Sequence, residues 1–542
     1  MPFVTPNRSE QQAPRLESGD STETVTCVAY GPSAWMLHVG GANHRTTRSR
    51  CLQLAAQLEL APPTGLREVI PAFESVLLDF ETPPSAAEFS AWWETQHHRF
   101  AAPPTGTQND ANTRCHDISV CFDGADLPRV AASAQVTVAE VAGRFCAAEF
   151  QVQCLGFAPG FPYLNGLPTE LQTPRLATPR TRIPAGSVAV GGEHAGIYPQ
   201  ASPGGWNLLG RTAERLFDPG AGNVAAMFRL RAGDRVRFFP RDHWPETRTE
   251  TISAPLPPPG ARPALRIIRS GWGIGLQDLG RFGFRRFGVP NSGAMDPGAA
   301  RSANQVVGNP PDVPVLELCG PGHVLRSECD LWLGLAWVRS GTSWQATTVR
   351  LKAGEDFAVP ADRTGALWSY LAVPGGFAGR RILGSASTHW RAGMGDALRS
   401  GDRVFGANAT DPKWSTAIER RFLPVPRNNE LPLRIWRGPQ WSLFTDHARE
   451  SFFETSWTVS TQSDRVGYRL DGPPVPVPMT ELISEPVLPG TVQLPPNGQP
   501  IVTMPDGPTL GGYPKLGLVD PADLPRLAQS PPGTRLRFVL HQ

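Results

Sequence analysis

Glycine and proline set the tightest limit on what this chain can fold into. With 55 glycines and 57 prolines among 542 residues, about one residue in five frees the backbone or removes an amide donor, against roughly one in eight in an average protein. Long helices do not tolerate that density, whereas short strands joined by tight turns do. The two residue types stand between strand-like runs rather than in tracts, and 40% of the chain is hydrophobic. The excess therefore marks turn-rich folded β structure and not low-complexity disorder.

Basic and acidic side chains nearly balance, 51 against 49, which leaves no bulk electrostatic case for nucleic acid or an anionic membrane as partner. The eight cysteines (Cys27, Cys51, Cys115, Cys121, Cys146, Cys154, Cys319 and Cys329) contain no CxxC pair. They read as reduced thiols of a cytoplasmic protein rather than a disulfide frame or a metal site. The first twenty residues lack a basic region followed by an apolar core, and no apolar run is long enough to span a bilayer, so neither a signal peptide nor a membrane span is expected.

Composition shifts divide the chain. Residues 1–23 are polar and read as a disordered tail; 24–112 read as a small α+β domain, with TVTCVAY, AWMLHV and SVLLDF around a helical stretch. Residues 113–240 alternate short strands with glycine turns, the mark of a small barrel or sandwich. Residues 241–263, with APLPPPGARP, read as a proline-rich linker because proline cannot donate to a strand ladder. A second β-rich domain fills 264–542. Thr137 and Glu140 have capping-box spacing ahead of an apolar stripe of Val138, Val141, Ala142 and Phe145. Asp296-Pro297 opens a second helix with Ala300, Ala303, Val306 and Val307 on one face, stopped at Gly308. A faint duplication links the halves. Gly186-Ser-Val, Ile197-Tyr-Pro, Gly204-Gly205-Trp206 and Gly210 are echoed by Gly490-Thr-Val, Ile501-Val-Thr, Gly511-Gly512-Tyr513 and Gly517, which predicts two related β folds in tandem.

No GxSxG, GxxxxGK[ST], GxGxxG or HExxH motif occurs, so the chemistry must come from glycine-rich turns carrying isolated polar residues. Five such clusters stand out: Gly156–Tyr163; Pro184–Arg211; Gln277–Arg281 with Ser292–Asp296; Gly375–Phe377 with Leu383–Thr388; and Ser484-Glu485, Gln493, Asp506 and Gly511–Lys515. Arg180, Arg182, Tyr198 and Arg211 are the groups of the second cluster suited to an anionic ligand, and tight barrel turns with surface ion pairs are the plainer alternative. Asp296 marks a helix start, which favours an acidic ligand unless Asp296 itself fills the role as cap. Lysine occurs only at Lys352, Lys413 and Lys515, so the one inside a glycine-tyrosine turn draws notice as a compact cation.

At these motifs the chain resembles a known family. GFAPGFPYL, PRTRIPAGSVAVGG, GIYPQASPGGWNLLGRT and GDRVRFFP are similar to allophanate hydrolase subunit 1, also called the Kip-type kinase inhibitor family and the B-type subunit of 5-oxoprolinase. QDLGRFGFRRFGVPNSGAMD, LELCGPG, LGSAST, SDRVGYRL and GGYPK resemble allophanate hydrolase subunit 2, or the C-type subunit of 5-oxoprolinase. Together the likeness covers residues 24–240 and 264–542.

The resemblance implies a mainly β protein with an α+β N-terminal part and tandem cyclophilin-like β-barrels. It implies ATP-dependent opening of 5-oxoproline to glutamate, with a separate 5-oxoprolinase A-type subunit as partner, a small amide as substrate, and ATP, with Mg2+, held by or shared with that partner. By residue-wise match it nominates Asp278, Arg281 and Lys515 as catalytic. It nominates Gly160, Tyr198, Gly204, Gly205, Arg211, Asp296 and Asn304 as substrate-binding. Phosphoryl transfer to a ring carbonyl needs stabilised phosphoryl charge, which arginine and lysine suit. A related fused pair forms the carboxyltransferase part of biotin-dependent urea carboxylase, and a non-catalytic Kip-type regulator is the third reading. The chain departs from the family pattern at Phe145, where a histidine is expected, at His194-Ala195, at Gly395-Asp396, and at Pro508 and Leu510. Glycine scaffolding is kept better than polar chemistry.

Overall fold

The computed structural model describes residues 15–16, 25–41, 43–101, 113–243, 260–338, 343–360, 367–406, 418–421, 430–479 and 482–541. Most of the tail read over 1–23 and residues 244–259 of the stretch read as linker lie outside them. Arg15–Leu16 is a strand, paired with Val25–Thr26, so that part of the tail is ordered. At the other junction a strand starts at Arg262, inside the linker reading, and its pairing with Arg403–Gly406 shifts register between Pro263 and Leu265. The ladder thus steps past the proline that has no donor.

The N-terminal unit is the expected α+β element. Its five-stranded sheet runs Arg15–Leu16, Val25–Ala29, Ala34–Val39, Ser75–Phe80, Leu66–Pro71. Alternate residues face opposite ways. Trp35, Leu37 and Leu78 pack on Leu54, Leu58, Phe89 and Trp93 of the helices His44–Leu60 and Ala86–Ala101. Ala34, Met36, Ile70 and Leu77 pack on Leu488 and Leu518 far along the chain. SVLLDF is buried at every position because both faces are covered.

Two barrels of the same topology follow. In the first, seven strands run in the order Asn207–Arg211, Ser187–Gly191, His194–Ile197, Pro162–Asn165, Glu149–Leu155, Arg235–Pro240, Cys115–Val120. A Cys121–Arg211 bridge, bonded in both directions at 2.9 Å, joins the edge strands. The second is a closed barrel in the corresponding order: Lys515–Val519, Thr491–Gln493, Ile501–Thr503, Gly467–Asp471, Trp457–Val459, Arg535–Leu540, Leu431–Arg437. The registers coincide too. Val188 opposes Gly210 and, past a bulge, Ala189 opposes Leu208; Val492 opposes Gly517 and, past a bulge, Gln493 opposes Lys515. The duplicated glycine spacing therefore reports tandem barrels. Between them lies a further β unit, a five-stranded and a six-stranded sheet within residues 262–421, around Leu265, Leu316, Leu333 and Leu371.

The capping box forms: Glu140 N donates to Thr137 Oγ1 at 3.2 Å and Thr137 N to Glu140 Oε2 at 2.8 Å. Val141 and Phe145 of that helix are buried, but Val138 is 42% exposed, so the packed stripe is shorter than the periodicity predicts. Phe145 sits in the first barrel's core, its ring centroid 4.9 Å from both Phe150 and Phe238. Phe145→His would place a polar ring in that core rather than a base in a binding site. The expected result is a loss of about 2 kcal/mol in chemical denaturation with no new activity. Among the described residues no helix is long and apolar enough to cross a membrane.

Candidate functional site between the barrels

The two barrels face one another across a cleft of about 1650 Å³. Phe157, Tyr198 and Ser202–Trp206 come from the first barrel, and Gln493, Asp506 and Gly511–Tyr513 from the second. His389 and Arg391 reach it from the unit between. The first barrel is held on both sides: Gly160 N donates to Phe287 O of the intervening unit at 2.8 Å, and Gly156 leaves room for the Leu510 side chain of the second barrel, whose Cδ1 lies 2.3 Å from where a Cβ would stand.

The first wall is aromatic. Phe161 meets Tyr163, Tyr198 and Trp206 edge-on at 5.0, 5.1 and 5.6 Å between centroids. Burial pushes the Tyr198 phenol up to about 12. A Cβ on Gly204 would stand 2.4 Å from the Tyr198 hydroxyl and 2.8 Å from Ile183 Cδ1, too close for either, whereas one on Gly205 would be in ordinary contact, 3.5 Å from Leu176 O. His194 lies on Phe73, 4.4 Å between centroids, and its Nε2 is 3.4 Å from Glu193 Oε1. Burial lowers the imidazole's value and keeps it neutral. The hydrogen bond from His194, then Arg48, hold the Glu193 carboxyl down to about 2.

The second wall sets the polar groups Ser484, Gln493 and Asp506 among prolines and aliphatic side chains such as Val475, Ile483, Leu494 and Leu510, and behind it lies a buried charge network. Lys515 is fully buried; its Nζ donates to Glu485 Oε2 at 3.0 Å. Gln440 donates to the same oxygen at 2.7 Å, and His38 of the N-terminal sheet meets Glu485 Oε1 at 2.9 Å. Burial alone would raise Glu485, but Lys515 and His38 bring it down to about 2. A carboxyl held below its unfolded value stabilises the fold above that value, and the contribution is lost as pH falls through the folded one. Expected, then, is a stability loss of about 3 kcal/mol between pH 4.5 and about 2, absent from a Glu485→Gln variant, when unfolding is followed against pH.

Most of the nominated residues have structural tasks. Lys515 faces its buried partner and not the cleft. Asp278 accepts from Ser385 Oγ and Ser387 Oγ at 2.6 Å each and from Ala386 N at 2.8 Å, pinning the LGSAST turn. Arg281 donates to the Ile382 and Ser387 carbonyls, and burial lowers it to about 10. Asp296 caps its helix, accepting from Ala299 N and from Gln529 Nε2, each at 3.0 Å. Asn304 donates to Val313 O at 2.9 Å. Arg211 pairs with Asp123 beside the bridge that closes the first barrel. Tyr198, Gly204 and Gly205 do line the cleft, and Gly160, at φ +77°, makes the turn between the lining residues Pro159 and Phe161.

Sequence reasoning missed His389 and Arg391. His389 Nδ1 accepts from Ala392 N at 3.1 Å, so Nε2 carries the proton and faces Asp506 O at 3.4 Å. Arg465 grips the Asp506 carboxylate at 2.8 and 3.2 Å. Burial would raise Asp506, but Arg465 and His389 hold it below the usual carboxylate value. An isolated histidine near a tryptophan gives no spacing signal.

Family models for a carboxyltransferase domain match this chain, subdomains C and D over residues 25–227 and subdomains A and B over residues 287–540. It is 36% identical over 287 residues to the C-type subunit of 5-oxoprolinase from Escherichia coli K12, 51% of this chain and 90% of that protein. It is also 36% identical over 227 residues to the B-type subunit of 5-oxoprolinase from Escherichia coli O157:H7, 40% of this chain and 97% of that protein. The chain belongs to the family of B-type and C-type 5-oxoprolinase subunits, as a fusion of the two. The solved structure of TTHA0988 is 35% identical to this B/C fusion, with a TM-score of 0.78, covering 93% of this chain and 99% of that one. Urea amidolyase of Saccharomyces cerevisiae is 28% identical over 304 residues, 51% of this chain and 16% of that protein. Of the fusion's departures from the family pattern, His194, Pro508 and Leu510 line the cleft, whereas Phe145 and Asp396 do not.

Proposed function

We propose that this chain is the substrate-binding B and C component of an ATP-dependent, 5-oxoprolinase-like amidohydrolase, a cytoplasmic enzyme that opens a cyclic amide to an amino acid together with a separate A-type subunit. The observation that carries the reading is the inter-barrel cleft, to which both homologous parts contribute loops within one chain. An aromatic wall facing a largely apolar one that carries a few polar groups, Ser484, Gln493 and Asp506, suits the flat ring of a small cyclic amide, with the apolar lining excluding water and the polar groups fixing orientation.

The same lining fits a nucleoside triphosphate poorly. A triphosphate brings several charges and finds few free cations there: of the cleft's arginines Arg391 is committed to Asp464 at 2.8 Å while Arg175 lies over the Trp206 ring, 5.7 Å from its centroid. Among the described residues no group of three or more His, Cys, Asp or Glu is placed to hold a metal. In this reading ATP with its Mg2+ is held by the A-type partner or on a surface shared with it, and this chain's own part is to hold and orient the ring.

The test mixes the purified chain with an A-type subunit, 5-oxoproline and ATP. Release of glutamate and phosphate that requires both proteins is expected; no turnover with a partner known to be competent would contradict the proposal. The resemblance to urea amidolyase favours one second reading, a carboxyltransferase fed by a biotin carrier. Capture of a biotinylated carrier together with carboxylation of urea would establish it instead.

A further inference from the structure

The two barrels share strand order and, at the bulged strand pair, register, so the residues flanking that bulge have counterparts, and there the counterparts differ in kind. In the first barrel the bulged pair is Ala189 opposite Leu208; in the second it is Gln493 opposite Lys515. Lys515 is neutralised by Glu485. Gln493 is not used in this way. It is 5% exposed, lines the cleft, and its Nε2 is buried with no hydrogen-bond partner among the described residues. The wall is shaped to it: a Cβ on Gly511 would stand 2.6 Å from that nitrogen. A buried amide left unpaired costs free energy, which a ligand pairing with it from the cleft would recover.

We propose that Gln493 is the specificity-determining residue of the cleft and that it recognises a cis amide, the class comprising lactams, cyclic imides and ureas. This rests on reading the cleft as an amide-binding site. A primary carboxamide carries a donor and an acceptor side by side. A ring holds the N–H and C=O of a lactam on the same side, so the two edges pair through two hydrogen bonds: Gln493 Nε2 donates to the ring carbonyl and Oε1 accepts from the ring N–H. Open-chain secondary amides are trans and present the two groups on opposite sides. The terminal torsion of glutamine is soft, so its plane turns onto the ligand at little cost. Ring opening leaves a carboxylate and an amine in place of the amide edge, which removes the match and favours release.

The experiment is calorimetric titration of the full chain with 5-oxoproline, with N-methyl-5-oxoproline and with urea. The wild-type chain should prefer 5-oxoproline over its N-methyl form by about tenfold or more. Gln493→Met, which keeps the volume, should bring the two within about twofold by weakening the N–H form. Gln493→Glu, which keeps the shape but has no donor for the carbonyl, should lose 5-oxoproline binding; melting temperatures report whether each variant is folded. Equal weakening of both lactams in Gln493→Met, or no N–H preference in the wild type, overturns the role of Gln493 and leaves the oxoprolinase reading standing. Gln493-dependent binding of urea without 5-oxoproline binding supports Gln493 and overturns the oxoprolinase reading. Binding of none of the three overturns both.

Discussion

Glu485→Gln is expected to lower stability by about 4 kcal/mol, because it strands the Lys515 ammonium, fully buried, without a counter-charge. Glu485 also accepts from Gln440 and meets His38, so three elements lose one acceptor: the second barrel, the short helical turn beside Gln440, and the N-terminal sheet. Removing both charges should hurt less than removing one. The double variant Lys515→Met/Glu485→Gln is expected to recover a large part of the loss, since the cost lies in the uncompensated charge rather than in the missing attraction. Calorimetric unfolding of the wild type, both single variants and the double variant measures this directly. A double variant as unstable as the sum of the singles would show that the network is not a mutually compensating pair.

Gly288→Val is expected to be as damaging, and to act on the cleft as well as on stability. Gly288 has φ +77°, and a Cβ there would stand 2.4 Å from the backbone carbonyl of Ala158 in the first barrel. Neither term has an easy escape: a β-branched residue resists the left-handed conformation, and the obstructing atom is backbone rather than a movable side-chain tip. The adjacent Phe287 carbonyl accepts from Gly160 N at 2.8 Å, so displacement of this segment pulls on the turn that shapes the aromatic wall. About 3–4 kcal/mol of destabilisation is expected, with 5-oxoproline affinity falling at least tenfold in protein that remains folded at low temperature. Gly283→Ala supplies the control: it too has positive φ, 86°, but a Cβ there meets nothing within 4 Å, so affinity should be unchanged.

The architecture is legible in the sequence because repeated glycines reflect repeated geometry. Gly210 and Gly517 face Val188 and Val492 at the same register point next to the same bulge, and such close backbone positions leave a readable spacing. Chemistry is legible only where it is local. Tyr198 and Gly204 lie six positions apart and meet at the cleft. The family resemblance nominates Lys515, Asp278 and Arg281 as catalytic, and nothing in the local sequence corrects it, because a charge in a glycine turn looks alike whether it faces a ligand or a partner. Their partners lie in distant stretches: Arg281 donates to a carbonyl 101 positions away, and the Glu485 that holds Lys515 is bound to His38, 447 positions away. Gln493 is, in sequence, only one polar residue among five in its cluster. Its distinction emerges only when the two barrels are superposed in register and its counterpart proves to be Ala189.

The most direct measurement is backbone hydrogen exchange of the full chain with and without saturating 5-oxoproline. Slowed exchange is expected together in segments 202–206 and 510–514, one from each barrel, with segments on the outer barrel faces unchanged. Protection confined to one barrel, or appearing away from the cleft, would contradict a site built by both.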